Sequence, residues 1–473
     1  MTRFTTTAAA RRLDDLPTPP GTLPGLGNLH QFDVPRLHQV FERWHASIGG
    51  PFMARMGPKK IFVSADPGQL QTVLRERPGR YRRVRQIEAC LAEIGANGVF
   101  SVEGAAWGLQ RRLVMSALNS THFRGFFPTL QAITARLHRR WKSAAARGET
   151  VEMTQDLVRY TVDVTTALVF GEDPNTLESD GDIIQRHLAV VFPMLMSRIN
   201  APLPYWRYLK LPRDRRFEHS MAAIHAHAEM LVARARQRMS EEPPATPRNL
   251  LEALLSARDQ PDSGLDDDAV KANVLTLLLA GEDTTAHTLA WSMFYLAQDM
   301  DCQQRLHGLA REALGDAEVC PEHDRLRRLD DFESAAHEAT RLKPIVPLIF
   351  LEPVEDVVLD GIALPAGTPL FFLLRPAMLD DRHFAAASTY DPQRWAPEHG
   401  GRVHDARAYV QFGAGPRVCP GRHLAGVEIR LVLSMLLRGF EIELAADPAT
   451  VKEVMAFTMM PSRMPLRLTP RVQ

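Results

Sequence analysis

Phe412-Gly413-Ala414-Gly415-Pro416-Arg417-Val418-Cys419-Pro420-Gly421 is the stretch on which the reading of this chain turns. Three glycines and two prolines in ten residues predict a tight loop. The apolar spacing beyond it predicts a helix over Arg422–Arg438. A cysteine just ahead of a helix N-terminus has its thiolate favoured by the helix dipole and by free backbone N–H groups. Glycines let the backbone come close to a flat ligand. Arg417, two residues before the cysteine, can pair with a carboxylate on that ligand. A lone cysteine is more often a small apolar core residue. Here the glycines, the arginine, the cysteine and the helix converge on one purpose.

Two other segments gain meaning beside this loop. Glu338 and Arg341 stand three apart, on one side of a helix that Pro344 stops. Alone, such a pair is a surface ion pair, and Glu322 and Arg325 repeat the same spacing. Asp391-Pro392-Gln393-Arg394-Trp395 offers a second arginine, Arg394, that can complete a buried network with Glu338. Further upstream, Asp266, Asp267 and Asp268 open an apolar run that continues to Ala297. Acids in a first turn suit the helix dipole, and the run predicts a helix of about 30 residues, roughly 45 Å long. Its middle, Ala280-Gly281-Glu282-Asp283-Thr284-Thr285, places a glycine, two acids and two threonines inside an apolar helix. Two readings stay open. Either the helix ends at Gly281 and another begins, capped by Asp283 or Thr284, or it is distorted where a ligand approaches.

The remaining chain reads as one large domain over residues 16–473, mainly helical with small sheets, behind a flexible arm at residues 1–15. Leu16–Asn28 is rich in proline and glycine and predicts neither helix nor central strand. Residues 51–65 predict a hairpin turning at Gly57-Pro58, and Val354–Phe372 predicts strands turning at Asp360-Gly361 and Pro365-Ala366-Gly367. Helices are predicted over Gly104–Leu118, Thr129–Ala146 and Met221–Met239, and a surface loop at residues 241–247. The 473 residues carry 56 Lys+Arg and 56 Asp+Glu, so nothing in the charge balance suggests nucleic acid. Four dispersed cysteines exclude a disulfide scaffold and a Cys-x-x-Cys metal site. No apolar run is long enough for a membrane anchor, and Met1–Asp15 lacks the apolar core of a signal peptide, so a cytoplasmic protein is expected.

Taken together, these motifs make the chain similar to the cytochrome P-450 family of haem-thiolate monooxygenases. Phe412, Gly415, Arg417, Cys419 and Gly421 match the family loop Phe-x-x-Gly-x-Arg-x-Cys-x-Gly, with Gly413 inside it. Ala280–Thr285 resembles the oxygen-activation motif, Glu338, Arg341 and Arg394 the family's structural network, and Trp107 with Arg111 its haem-propionate contacts. The resemblance covers residues 16 to 470. It departs from the family at two places. Leu351 stands where many members carry a propionate-binding arginine, and Leu379-Asp380-Asp381 stands where many read Arg-Asp-Pro.

The resemblance implies the mostly helical family fold and haem b with Cys419 as the axial thiolate, a ligand that favours O–O cleavage. It implies Thr284 beside the bound oxygen and Asp283 as proton relay. It implies hydroxylation, or another oxidation, of a small apolar substrate by dioxygen; a peroxygenase or an oxidative coupling enzyme is the alternative. The expected pocket draws on Val84–Val99, Val190–Ile199, Ile345–Phe350 and Phe457–Met460, with Ala280, Val346, Ile349 and Met459 as named candidates. Only 54 residues follow Cys419, so electrons are expected from an external ferredoxin or flavodoxin and its NAD(P)H reductase. Arg112, Arg422 and His423 are the candidate docking residues.

Overall fold

The central helix, Asp267–Leu296, is buried on nearly every side, which marks it as an interior element around which others pack. The computed structural model describes residues 10–471, apart from 119, 180–182, 242–246, 262, 397–403 and 406. The loop predicted at residues 241–247 thus lies mostly outside the described residues. Asp266 caps the central helix, its carboxylate accepting from the Ala269 N–H at 2.7 Å. The helix runs unbroken through Gly281, which excludes the reading of two helices. Around it pack Met153–Phe170, Asp330–Leu342 and Arg422–Gly439, which share one large apolar core with Ser120–Ala146 and Met300–Leu314.

The predicted hairpins form. Phe52–Met56 pairs with Lys59–Ser64 around Gly57-Pro58. Val357–Leu359 pairs with Ile362–Leu364 around Asp360-Gly361, both residues having positive φ as a tight hairpin turn requires. The turn at Pro365-Ala366-Gly367 then carries the chain into a different sheet. That sheet has five strands, in the order Phe52–Met56, Lys59–Ser64, Leu370–Leu373, Leu348–Pro353, Tyr81–Arg83. Phe440–Leu444, Pro465–Pro470 and Thr150–Glu152 form a third small sheet, and Glu453–Met455 with Met459–Pro461 a two-stranded one.

The expected arm at residues 1–15 is corrected from Arg11 onward. Arg11–Arg12 adds a parallel strand to Ile362–Ala363, Lys60 pairs with Asp14, and Leu13 and Leu16 are buried in the core beneath the five-stranded sheet. Burial of two leucines supplies the apolar gain that holds this segment down. Among the described residues, no helix is long and apolar enough to cross a membrane.

Candidate active site

The cysteine loop is shaped by close approach. Gly413 and Gly415 have φ of +73° and +68°, and a Cβ on Gly415 would lie 2.5 Å from the Leu74 carbonyl oxygen. The Cys419 N–H donates to the Phe412 carbonyl at 2.8 Å, which folds the loop back on itself. Cys419 is half-buried, whereas Cys90, Cys302 and Cys320 are fully buried. Burial pushes the Cys419 thiol up, and the Gly421 N–H, the Arg111 guanidinium and the Arg422 N–H only partly offset this. The expectation that the helix terminus lowers this thiol is therefore outweighed by burial; a metal bound at the sulfur ionises a thiol outright.

Around the loop, Arg111 Nη2 donates to the Val418 carbonyl at 2.7 Å. Trp107 is buried, with the Arg417 guanidinium 4.6 Å above its ring. Arg417 Nη2 donates to the Val102 carbonyl at 2.9 Å and to Glu103, while its buried Nε and Nη1 have no partner. Glu103, just before the Gly104–Ala117 helix, was not singled out from sequence. An acid ahead of a helix is too common to carry a signal.

On the central helix, Ala280, Thr284 and Thr288 keep accessible surface, while Glu282, Asp283, Thr285 and His287 are buried. Thr284 Oγ1 donates to the Ala280 carbonyl at 2.9 Å, and Thr288 Oγ1 to the Thr284 carbonyl at 2.8 Å. Burial raises the Asp283 carboxyl to about 7. Gly281 is explained by packing: a Cβ there would meet Thr165 Oγ1 at 2.6 Å and Cγ2 at 3.0 Å. The glycine lets the Met153–Phe170 helix approach, and the expected local distortion is not needed to account for it.

The four pocket candidates separate. Ala280 and Val346 keep accessible surface. Ile349 pairs across the sheet with Phe372 and packs on the core beneath it. Met459 is corrected to a core residue: it is fully buried, its N–H donates to Ile345 and its carbonyl accepts from Trp291. Two residues earlier, Phe457 stacks against Phe192 at 5.7 Å and meets Phe100 at 6.1 Å. His287 Nδ1 lies 2.8 Å from Thr458 Oγ1 and holds this turn to the central helix.

Glu338, Arg341 and Arg394 come together, fully desolvated. Arg341 meets Glu338 through two parallel bonds of 2.9 and 2.8 Å, and Arg394 Nε donates to the same carboxylate at 3.2 Å. Trp395 Nε1 and the Asp391 N–H complete its shell. Arg341 also donates to the Met378, Ala387 and Thr389 carbonyls. Glu322 and Arg325, at the same spacing, form only an exposed 3.8 Å pair.

A model of the cytochrome P450 family matches residues 17–467. The chain belongs to the cytochrome P450 family. The P450 is similar to pentalenene oxygenase of Streptomyces avermitilis, 26% identical and covering 96% of this chain and 97% of the relative. It is also similar to protein LUTEIN DEFICIENT 5, chloroplastic, of Arabidopsis thaliana, 24% identical over 95% of this chain and 76% of the relative. A self-sufficient cytochrome P450 monooxygenase of Penicillium expansum is 24% identical, and there the P450 spans only 43% of the relative's length. The fold matches the crystal structure of the cytochrome P450DA haem domain, with a TM-score of 0.86 at 23% identity, covering 98% of this chain and 99% of that one. The P450 is a haem-thiolate monooxygenase whose cofactor is haem b, held by an axial cysteine thiolate. Its residues fit that group. A half-buried cysteine sits before a helix, and two orphaned guanidinium nitrogens of Arg417 lie over Trp107.

Proposed function

We propose that Cys419 supplies the axial thiolate and that the chain oxidises a small apolar molecule with dioxygen, using electrons from a separate carrier. The observation that carries this reading is the loop closed by the Cys419-to-Phe412 hydrogen bond, with the orphaned Arg417 nitrogens beside it. When bound, the haem supplies dioxygen activation and oxygen transfer to a C–H bond. The protein's part is binding, orientation and proton supply. Thr284 presents its hydroxyl on the accessible strip of the central helix, and Oγ1 hands on its proton by releasing its bond to the Ala280 carbonyl. Asp283, with its carboxyl near 7, is partly protonated at neutral pH and restocks that hydroxyl. Phe100, Phe192 and Phe457 offer an apolar surface for the substrate and keep water out. Trp107 and Arg111 hold the loop and the cofactor's edge.

Arg112, Arg422 and His423 are exposed beside the cysteine loop, and an acidic ferredoxin or flavodoxin docks there. The test of the reading is the reduced carbon monoxide difference spectrum. Wild type is expected to show the thiolate-type Soret band and Cys419→Ser to lose it with haem still present. A band that survives in Cys419→Ser overturns the assignment.

A further inference from the structure

The resemblance to the family leads to the expectation of a propionate-binding arginine where this P450 has Leu351. Its partner across the strand ladder is Arg83, and residues directly opposite in an antiparallel pair project to the same face of the sheet. Arg83 lies beside two further arginines. Arg77 and Arg417 have side chains only 4% exposed, and both reach Glu103, which is itself only 7% exposed. Glu103 Oε1 accepts from the Arg83 backbone N–H at 2.9 Å and from Arg77 Nη2 at 3.4 Å, and Oε2 accepts from Arg417. The Arg83 guanidinium donates from Nε to the Phe100 carbonyl at 3.1 Å and lies 3.7 Å above the Phe100 ring.

Two guanidinium groups therefore share one carboxylate and the Arg83 guanidinium lies beside them on Phe100, so the three arginines and Glu103 carry a surplus of two positive charges. Burial lowers Arg77 and Arg83, Arg77 adds to the effect on Arg83, and Glu103 acts in the opposite sense on both. Buried charge of one sign is costly unless an opposite charge meets it. The side-chain nitrogens Arg77 Nε, Arg417 Nε and Arg417 Nη1 are buried with no partner. A cluster built only to hold the fold would have its donors satisfied and its charge balanced. This one is short of two negative charges and of acceptors, and haem b carries two propionates.

We infer that Arg83, Arg77 and Arg417, gathered around Glu103, form the anion cradle for the haem propionates, with Arg83 replacing across the strand ladder the guanidinium that Leu351 lacks. The inference rests on the haem-thiolate reading above. Glu103 is a positioning residue: it turns Arg417 and Arg77 toward one site and lowers their mutual repulsion.

The experiment measures haem loss from purified holoenzyme to excess apomyoglobin for wild type, Arg83→Leu, Arg83→Lys and the double variant Arg83→Leu/Leu351→Arg. Loss of a charge-assisted pair is expected to speed haem release by about tenfold to a hundredfold in Arg83→Leu. Arg83→Lys is expected to fall between, and Leu351→Arg to bring the double variant back toward wild type. The second readout is the propionate bending mode in the resonance Raman spectrum of the bound haem. It is expected to shift in Arg83→Leu and return in the double variant; a purely structural arginine would leave it in place. The thiolate-type Soret band is expected to persist in every variant, and its absence from wild type would reject the haem-thiolate reading itself. Haem release within about twofold of wild type, with an unmoved propionate mode, overturns the cradle. Should Arg83→Leu fail to accumulate, Arg83→Gln is measured in its place and judged in the same way.

Discussion

Asp283 shows how a single side chain acquires its chemistry from its surroundings. Read in sequence it is one more acid in a helix; in the fold it is buried, and its carboxyl rises from 3.8 to about 7. A carboxyl raised on folding binds its proton more tightly in the folded chain. The stability it contributes is present below about pH 4 and is lost as pH rises toward 7. Asp283→Asn removes that penalty. Its Tm is therefore expected to match wild type near about pH 4, to exceed it increasingly as pH rises toward about 7, and to keep that margin above it. Thermal melts of both proteins across that range check this; parallel curves would place Asp283 in a solvated site. His287, one turn on, moves in the opposite sense for the same cause: burial takes its imidazole down to about 3, so it is neutral at working pH and serves as a hydrogen-bonding group to Thr458.

Elements impose their demands through contacts that no single helix reveals. Gly281 costs the central helix about 1 kcal/mol relative to alanine, yet a Cβ there would strike the Thr165 hydroxyl at 2.6 Å. Gly281→Ala is expected to lower Tm despite its better helix propensity. Adding Thr165→Ala is expected to recover it, because the obstructing Oγ1 and Cγ2 are then gone. Differential scanning calorimetry of wild type and the two variants decides, and a stabilised single variant would remove packing as the reason for the glycine. The Asp330–Leu342 helix carries the contrasting case. Glu338→Ala strands Arg341 and Arg394 as buried, unpaired charges, at about 3–5 kcal/mol. Glu322→Ala breaks an exposed pair of identical spacing and should change stability by less than about 1 kcal/mol. Urea unfolding midpoints and haem content of the two variants separate these outcomes. Equal effects would reduce Glu338 to a surface pair.

At the scale of the whole molecule, the proposed docking face makes a kinetic prediction. Arg112 and Arg422 are exposed near the cysteine loop, so encounter with an acidic carrier should be fast at low salt and slow as salt screens it. Stopped-flow reduction by a ferredoxin is expected to fall with ionic strength in wild type, and Arg112→Glu and Arg422→Glu should slow it several-fold at low salt. A rate indifferent to salt and to both reversals would move the docking face elsewhere. How much of this molecule could be read beforehand follows from the range of the forces involved. Local signals were legible: the acids that open the central helix, the Asp360-Gly361 turn and the glycine loop before Cys419 depend on residues close in the chain, whereas the continuity of that helix through Gly281 stayed open. The Glu338 network was legible because it recurs as a pattern, although its spacing alone does not distinguish it from Glu322 and Arg325. Tertiary structure decided the rest. It seals Met459 into the core, ties down Leu13 and Leu16, sets Thr165 against Gly281, and gathers Arg77, Arg83 and Arg417 around Glu103. Those relations join residues tens to hundreds of positions apart. Burial and desolvation, which set their charge and packing, exist only once the chain has folded.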